Sequence, residues 1–107
     1  MSSSAVSGPR ANDPVAVDAK HYTVEYEDAR VRVLRIRYGP GEKSAMHSHP
    51  ESIAVFLSEA NVRMTYPDGQ TENIQGGPGM VLHLPAVEHL PENVGNSAFE
   101  VIEVELK

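Results

Sequence analysis

Short apolar stretches alternate with turn chemistry along this chain, and no segment repeats apolar positions at helical spacing between caps. Tyr22 to Tyr26 and Val31 to Tyr38 are rich in β-formers and are separated at Glu27-Asp28. Gly39-Pro40-Gly41 forces a turn, and Ile53 to Leu57 has the composition of a buried strand. From Val62 to Tyr66 the residues Val62, Met64 and Tyr66 alternate with Arg63 and Thr65, the period of a half-buried strand. Pro67-Asp68-Gly69-Gln70 is a turn signal between two strands, with Thr71 to Gln75 returning. Gly76-Gly77-Pro78-Gly79 turns again, Met80 to Leu84 leads into Pro85, and His89 to Val94 ends at Gly95-Asn96. Phe99 to Leu106 forms the last strand. Many short strands with regular punctuation predict an all-β sandwich or barrel.

Composition narrows the functional classes. A chain of 107 residues is one domain, close to the size at which an internal cavity becomes costly. Its net charge of -6 argues against nucleic acid, since the scattered lysines and arginines offer no run to neutralise phosphates. There is no cysteine, hence no disulfide and no thiolate ligand or nucleophile. The N-terminal stretch lacks the basic start and apolar run of a signal peptide, and no apolar run is long enough to span a bilayer. The expectation is therefore a cytoplasmic protein with no membrane partner. Residues 1–19 are small, polar and proline-punctuated and read as a flexible arm, with the folded domain over 20–107.

Histidine placement carries the chemistry. In Gly41-Glu-Lys-Ser-Ala-Met-His47-Ser-His49 the two histidines stand two apart, and such residues share one face of a strand. Both imidazoles can then look into a barrel, where nitrogen is a good ligand for iron, nickel, copper, zinc or manganese. A third histidine lies in Gly79-Met-Val-Leu-His-Leu-Pro85-Ala-Val-Glu-His89-Leu-Pro-Glu-Asn93.

These two segments, in this order, resemble the two signature motifs of the cupin superfamily. Gly41, His47 and His49 match the first motif, and Gly79, Pro85, His89 and Asn93 match the second. The chain departs from the pattern in three places. The turn between Pro85 and His89 is one residue short and lacks its glycine, and Ala60-Asn61 stands where the first motif ends in glycine. The glutamate ligand of the first motif is also missing: Ser52 falls near its slot, and Glu51 is the carboxylate nearby. The phrases Met-His-Ser-His-Pro-Glu-Ser, Thr-Tyr-Pro-Asp-Gly and Pro-Glu-Asn-Val-Gly resemble small single-domain bacterial cupins, often labelled cupin-2 domain or β-alanine degradation proteins. The short Pro85 to His89 turn is characteristic of that group.

The resemblance implies a single jelly-roll-like barrel of short antiparallel strands, commonly a homodimer. It also implies one divalent transition metal ion (Fe, Mn, Ni or Zn) on His47, His49 and His89, with Glu51 as a candidate fourth ligand. Three neutral imidazoles leave the ion its double charge, so the site favours a small anionic, bidentate metabolite. His83, just before the second motif's proline, is a candidate proton shuttle, set against a surface histidine. His21 is expected in solvent, Asn93 is expected to hold a turn, and Glu100, Glu103 and Glu105 read as outer or rim residues. Arg35 and Arg37 read as an outer face. The fold hosts several chemistries. A metal-dependent dioxygenase, a Lewis-acid isomerase or lyase, and a non-catalytic binding or sensor protein all stay open, with a metal-free barrel acting through its dimer surface beside them.

Overall fold

The computed structural model describes residues 11–107. In chain order these form α1 (Pro14–Val17), β1 (Tyr22–Glu27), β2 (Val31–Tyr38), β3 (His47–His49), β4 (Ser52–Phe56) and β5 (Ala60–Thr65). Then follow β6 (Thr71–Gly76), β7 (Val81–Leu84), β8 (Val87–Asn93) and β9 (Phe99–Leu106). The pairing is antiparallel throughout, in a five-stranded sheet β1-β2-β9-β4-β7 and a four-stranded sheet β3-β8-β5-β6. The all-β barrel expected from the turn pattern is the fold observed.

Strand alternation sorts the side chains. In β2 the even positions Arg32, Leu34, Ile36 and Tyr38 are buried, and in β9 the odd positions Phe99, Val101, Glu103 and Glu105. Register places Tyr38 opposite Phe99, Ile36 opposite Val101, Leu34 opposite Glu103 and Arg32 opposite Glu105. Strand β4 adds Phe56 beside Val101, Ala54 beside Glu103 and Ser52 beside Glu105. The inner face of this sheet thus changes along its length, from aromatic and aliphatic rows to a row of arginine, glutamate and serine. The apolar rows form the core, where a fully buried side chain such as Leu34 contributes about 1.5–3 kcal/mol. The polar row faces the histidines.

Turns fix where the strands begin. Gly41, with φ of 77°, adopts the left-handed conformation that turns the chain after β2 and before β3. Of the arm expected over 1–19, residues 1–10 lie outside the described residues, and residues 11–19 carry α1. Asp13 caps α1, accepting from the Val15 N–H at 3.3 Å, and is itself buried. Among the described residues no helix is long and apolar enough to cross a membrane.

Candidate metal centre and its cavity

The histidine trio is assembled by two strands. His47 and His49 lie two apart on β3 and both turn inward, while His89 on β8 is the direct cross-strand partner of His47. All three are buried, and one nitrogen from each falls within 4.8 Å of the others. Ring centroids are 4.9 Å apart for His47–His49 and His47–His89, and 5.2 Å for His49–His89. The planes stand nearly perpendicular, at 87°, 88° and 74°, so the rings do not stack on one another.

Hydrogen bonding decides which nitrogens are free. His47 Nδ1 lies 2.9 Å from the Ala45 carbonyl oxygen and 2.8 Å from Ser44 Oγ. A carbonyl only accepts, so Nδ1 carries the proton and Nε2 keeps its lone pair. His49 Nδ1 faces Glu105 Oε2 at 2.7 Å, so its proton too sits on Nδ1, with Nε2 turned to the other rings. The Nε2 atoms of His47, His49 and His89 are buried without any hydrogen-bond partner among the described residues. Three buried polar nitrogens without partners in one place are costly unless something binds them. A divalent transition metal ion satisfies all three at once, so the residues present fit the ion that the motifs imply.

Electrostatics agree with that fit. Burial, with the charges of its neighbouring histidines, lowers the His89 pKa to about 2. Burial followed by the charge of His49 lowers that of His47 to about 4. Both rings are neutral at pH 7, the state in which imidazole ligates. Tyr22 closes the trio from one side, its ring 4.8 Å from His47 and 5.8 Å from His49.

Behind His49 runs a chain of buried charges. Glu105 Oε1 accepts from Arg32 Nε at 2.9 Å, and Arg32 grips Asp13 with Nη1 at 3.1 Å and Nη2 at 2.8 Å. Burial raises the Glu105 pKa, but bonds from His49 and Arg32 outweigh it and hold the carboxylate below its ordinary range. Glu103 lies beside it, 3.5 Å from His49 Nδ1, and accepts from Ser52 Oγ at 2.6 Å. Burial pushes the Glu103 pKa up.

This geometry corrects three expectations. Glu103 and Glu105 are buried beside the trio rather than at the rim, because Phe99 and Val101 set the inner phase of β9 and the strand continues it. Extending that period of two would have found them. His21 is buried, not exposed: its ring stacks on Tyr38 at 4.1 Å, with Nδ1 on Asp18 and Nε2 on Glu42 at 3.0 Å.

Other candidates fall away from the trio. Glu51 and His83 bond each other at 2.6 Å with both side chains more than half exposed, and neither joins the cluster. Ser52, near the vacant glutamate slot, is buried and directed at Glu103. Asn93 holds a turn, donating to the Tyr38 and Ser97 carbonyls and accepting from the Gly95 N–H. Glu88, beside His89 in sequence, accepts from Asn12 Nδ2 at 2.9 Å. Arg35 reaches Glu25 and Glu100 on the outer face, while the inward arginine is Arg32.

His89 and Glu103 border a cavity of about 560 Å³ between the two sheets. Ile36, Phe56, Val62, Met64, Leu82 and Val101 supply much of its wall. Its volume lies within the roughly 300–1,000 Å³ typical of small-molecule sites.

Comparison with known proteins places the architecture. No family model matches the chain, and no curated protein matches it. Among solved structures, a cupin domain from Bordetella pertussis is 27% identical with a TM-score of 0.74, over 80% of this chain and 91% of that one. A Klebsiella pneumoniae protein with a double-stranded β-helix domain is 21% identical, TM-score 0.63, over 79% of this chain and 74% of that one. A cupin-2 domain protein from Shewanella frigidimarina is 16% identical, TM-score 0.55, over 80% and 79%.

Proposed function

The chain belongs to the cupin superfamily, and from that footing we propose that it is a metal-dependent enzyme acting on a small metabolite that binds through an anionic, chelating end. The observation that carries the reading is the convergence of three buried, unpartnered imidazole nitrogens beside a cavity large enough for a substrate. His47, His49 and His89 are the residues that would hold the ion. When bound, a divalent ion in a three-histidine set supplies Lewis acidity at its open positions, or oxygen chemistry in the case of iron.

The remaining residues prepare and shield that site. Ser44 and the Ala45 carbonyl fix the tautomer of His47, and Glu105 fixes that of His49 while raising its basicity. Tyr22 covers the trio and keeps water from one flank, its hydroxyl engaged with Tyr38 at 2.8 Å. Glu103 presents a carboxyl to the cavity, held in orientation by Ser52. With no carboxylate among the clustered ligand atoms, an anionic group of the substrate meets no ligand charge of its own sign.

Elemental analysis of protein purified without chelators or a nickel column tests this, beside a His47→Ala, His49→Ala double variant. Near-stoichiometric metal in the parent and none in the variant is the expected result. A parent that is empty and also refuses added Fe²⁺, Mn²⁺ and Zn²⁺ would sink the proposal.

A further inference from the structure

The lining of the cavity says what kind of molecule it takes. Beside its aliphatic and aromatic wall, the polar side chains that border it are mostly already engaged. Tyr22 and Tyr38 bond each other, Glu103 is bonded by Ser52, and Tyr66 donates to Glu72 at 2.7 Å. Glu72, Asn73 and Gln75 are exposed on β6, so they belong to the mouth rather than the interior. Among the described lining residues there is no lysine or arginine, and the two carboxylic acids are Glu72 and Glu103.

Such a lining discriminates by charge. A second anionic group, as in a dicarboxylate or a phosphate ester, would sit in an apolar wall with no cation to pair it and with acidic side chains nearby. An apolar body gains from the same wall by leaving water. Polar atoms are welcomed at one end, where His89 carries an orphaned Nε2. We infer that the substrate is an asymmetric molecule, with oxygen donors confined to one end and an apolar body of ring size filling the cavity. Dianions and phosphorylated metabolites are thereby excluded. The inference rests on the proposed metal site and narrows its substrate class.

The experiment uses Zn²⁺-loaded protein with 2-naphthoate, acetate and succinate as probes, read by calorimetric titration and by thermal melting. Acetate carries the donor end alone, succinate adds a second charge, and naphthoate adds an apolar body. Naphthoate is expected to bind about 100-fold more tightly than acetate, a modest share of what burying a ring system provides, while succinate stays within about threefold of acetate. Leu82→Phe, which fills the cavity from β7, is expected to remove the naphthoate advantage and leave zinc stoichiometry intact. Ile74→Phe fills it from β6 and serves if the first variant melts far below the parent.

Naphthoate no tighter than acetate on zinc-loaded protein, or succinate tighter than naphthoate, overturns the inference and leaves the metal site standing. If the parent takes up no zinc and also refuses Fe²⁺ and Mn²⁺, the proposed function falls instead. In that case a rise in melting temperature with naphthoate, abolished by Leu82→Phe, still supports the apolar cavity assignment, and its absence overturns it.

Discussion

Replacing Glu105 with glutamine separates the charge behind His49 from the shape that holds it. Glu105 is almost wholly buried, and its carboxylate meets His49 Nδ1 at 2.7 Å and Arg32 Nε at 2.9 Å. Glutamine keeps the length of the side chain and one acceptor oxygen, so the His49 ring can stay in place with its proton on Nδ1. What disappears is the negative charge that makes Nε2 a stronger donor to a cation. Loss of such an outer carboxylate typically lowers metal affinity about 10–100-fold, or roughly 1.4–2.7 kcal/mol. Folding suffers as well. Arg32 keeps Asp13 as a partner, so the cost is that of a charged hydrogen bond, about 1.5–3 kcal/mol, not that of a stranded buried charge. Competition for Zn²⁺ against a chromogenic chelator at pH 7 measures the first quantity, and denaturant unfolding of metal-free protein measures the second. Ser44→Ala is the control, because His47 retains the Ala45 carbonyl and should hold zinc with a smaller loss. Zinc affinity of Glu105→Gln equal to the parent's, with His49→Ala abolishing binding, would refute the claim that Glu105 acts through His49.

Three further outcomes are expected. A Cβ at Gly76 would lie 2.7 Å from the buried Phe56 ring, so Gly76→Ala should destabilise by about 1–3 kcal/mol in urea unfolding; an unchanged midpoint would mean the ring yields freely. Glu42 accepts from the Gly39 N–H, and that bond, with Lys20 and His21, lowers its pKa from 4.5 to about 2. The unfolded chain therefore takes up this proton first as the pH falls, so the contribution is present above 4.5 and is lost on the way down to about 2. Glu42→Gln should flatten that part of a melting-temperature profile, and parallel profiles would contradict the assignment. His83→Ala and Glu51→Ala should each change stability by less than about 0.5 kcal/mol and leave zinc stoichiometry intact, since the pair is exposed. Loss of zinc in Glu51→Ala would instead make Glu51 a ligand.

The strand plan was legible because periodicity and turn residues act locally. The stretch Val31 to Tyr38 and the stretch Phe99 to Leu106 are strands β2 and β9 residue for residue. The histidine trio was legible because its members match two motifs at fixed spacing, and pairing of His47 with His89 across β3 and β8 brings the motifs together. The buried charges were not. Arg32, Glu103 and Glu105 are ordinarily surface residues, and what makes them interior is a partner remote in sequence: Asp13, Ser52 and His49 respectively. Their phase was nevertheless available, since Leu34 and Ile36 share it with Arg32, and Phe99 and Val101 with both glutamates. His21 was misplaced for a related reason. Nothing local showed that Tyr38, remote in sequence, would stack on it while Asp18 and Glu42 took its nitrogens.

The missing glutamate of the first motif has a structural counterpart elsewhere. Ser52, near the vacated slot, gives its hydroxyl to Glu103, and Glu105 stands behind the His49 ring of the proposed site. Negative charge is therefore not absent from the centre; it has moved from direct contact to the far side of His49. A carboxylate so placed strengthens a donor without occupying a coordination position or repelling an incoming anion at close range. It must also be kept ionised in a buried setting, and Arg32 does so only if Arg32 is itself held. Asp13 at the start of α1 holds it, and Ser48 of β3 donates its N–H to the Asn12 carbonyl at 2.8 Å. The segment before β1 thus closes over the strand that carries His47 and His49 and anchors the charge chain that ends on His49. In the proposed metal site, the donor strength of His49 would depend on that closure, which ties the segment ahead of the barrel to the proposed chemistry within it.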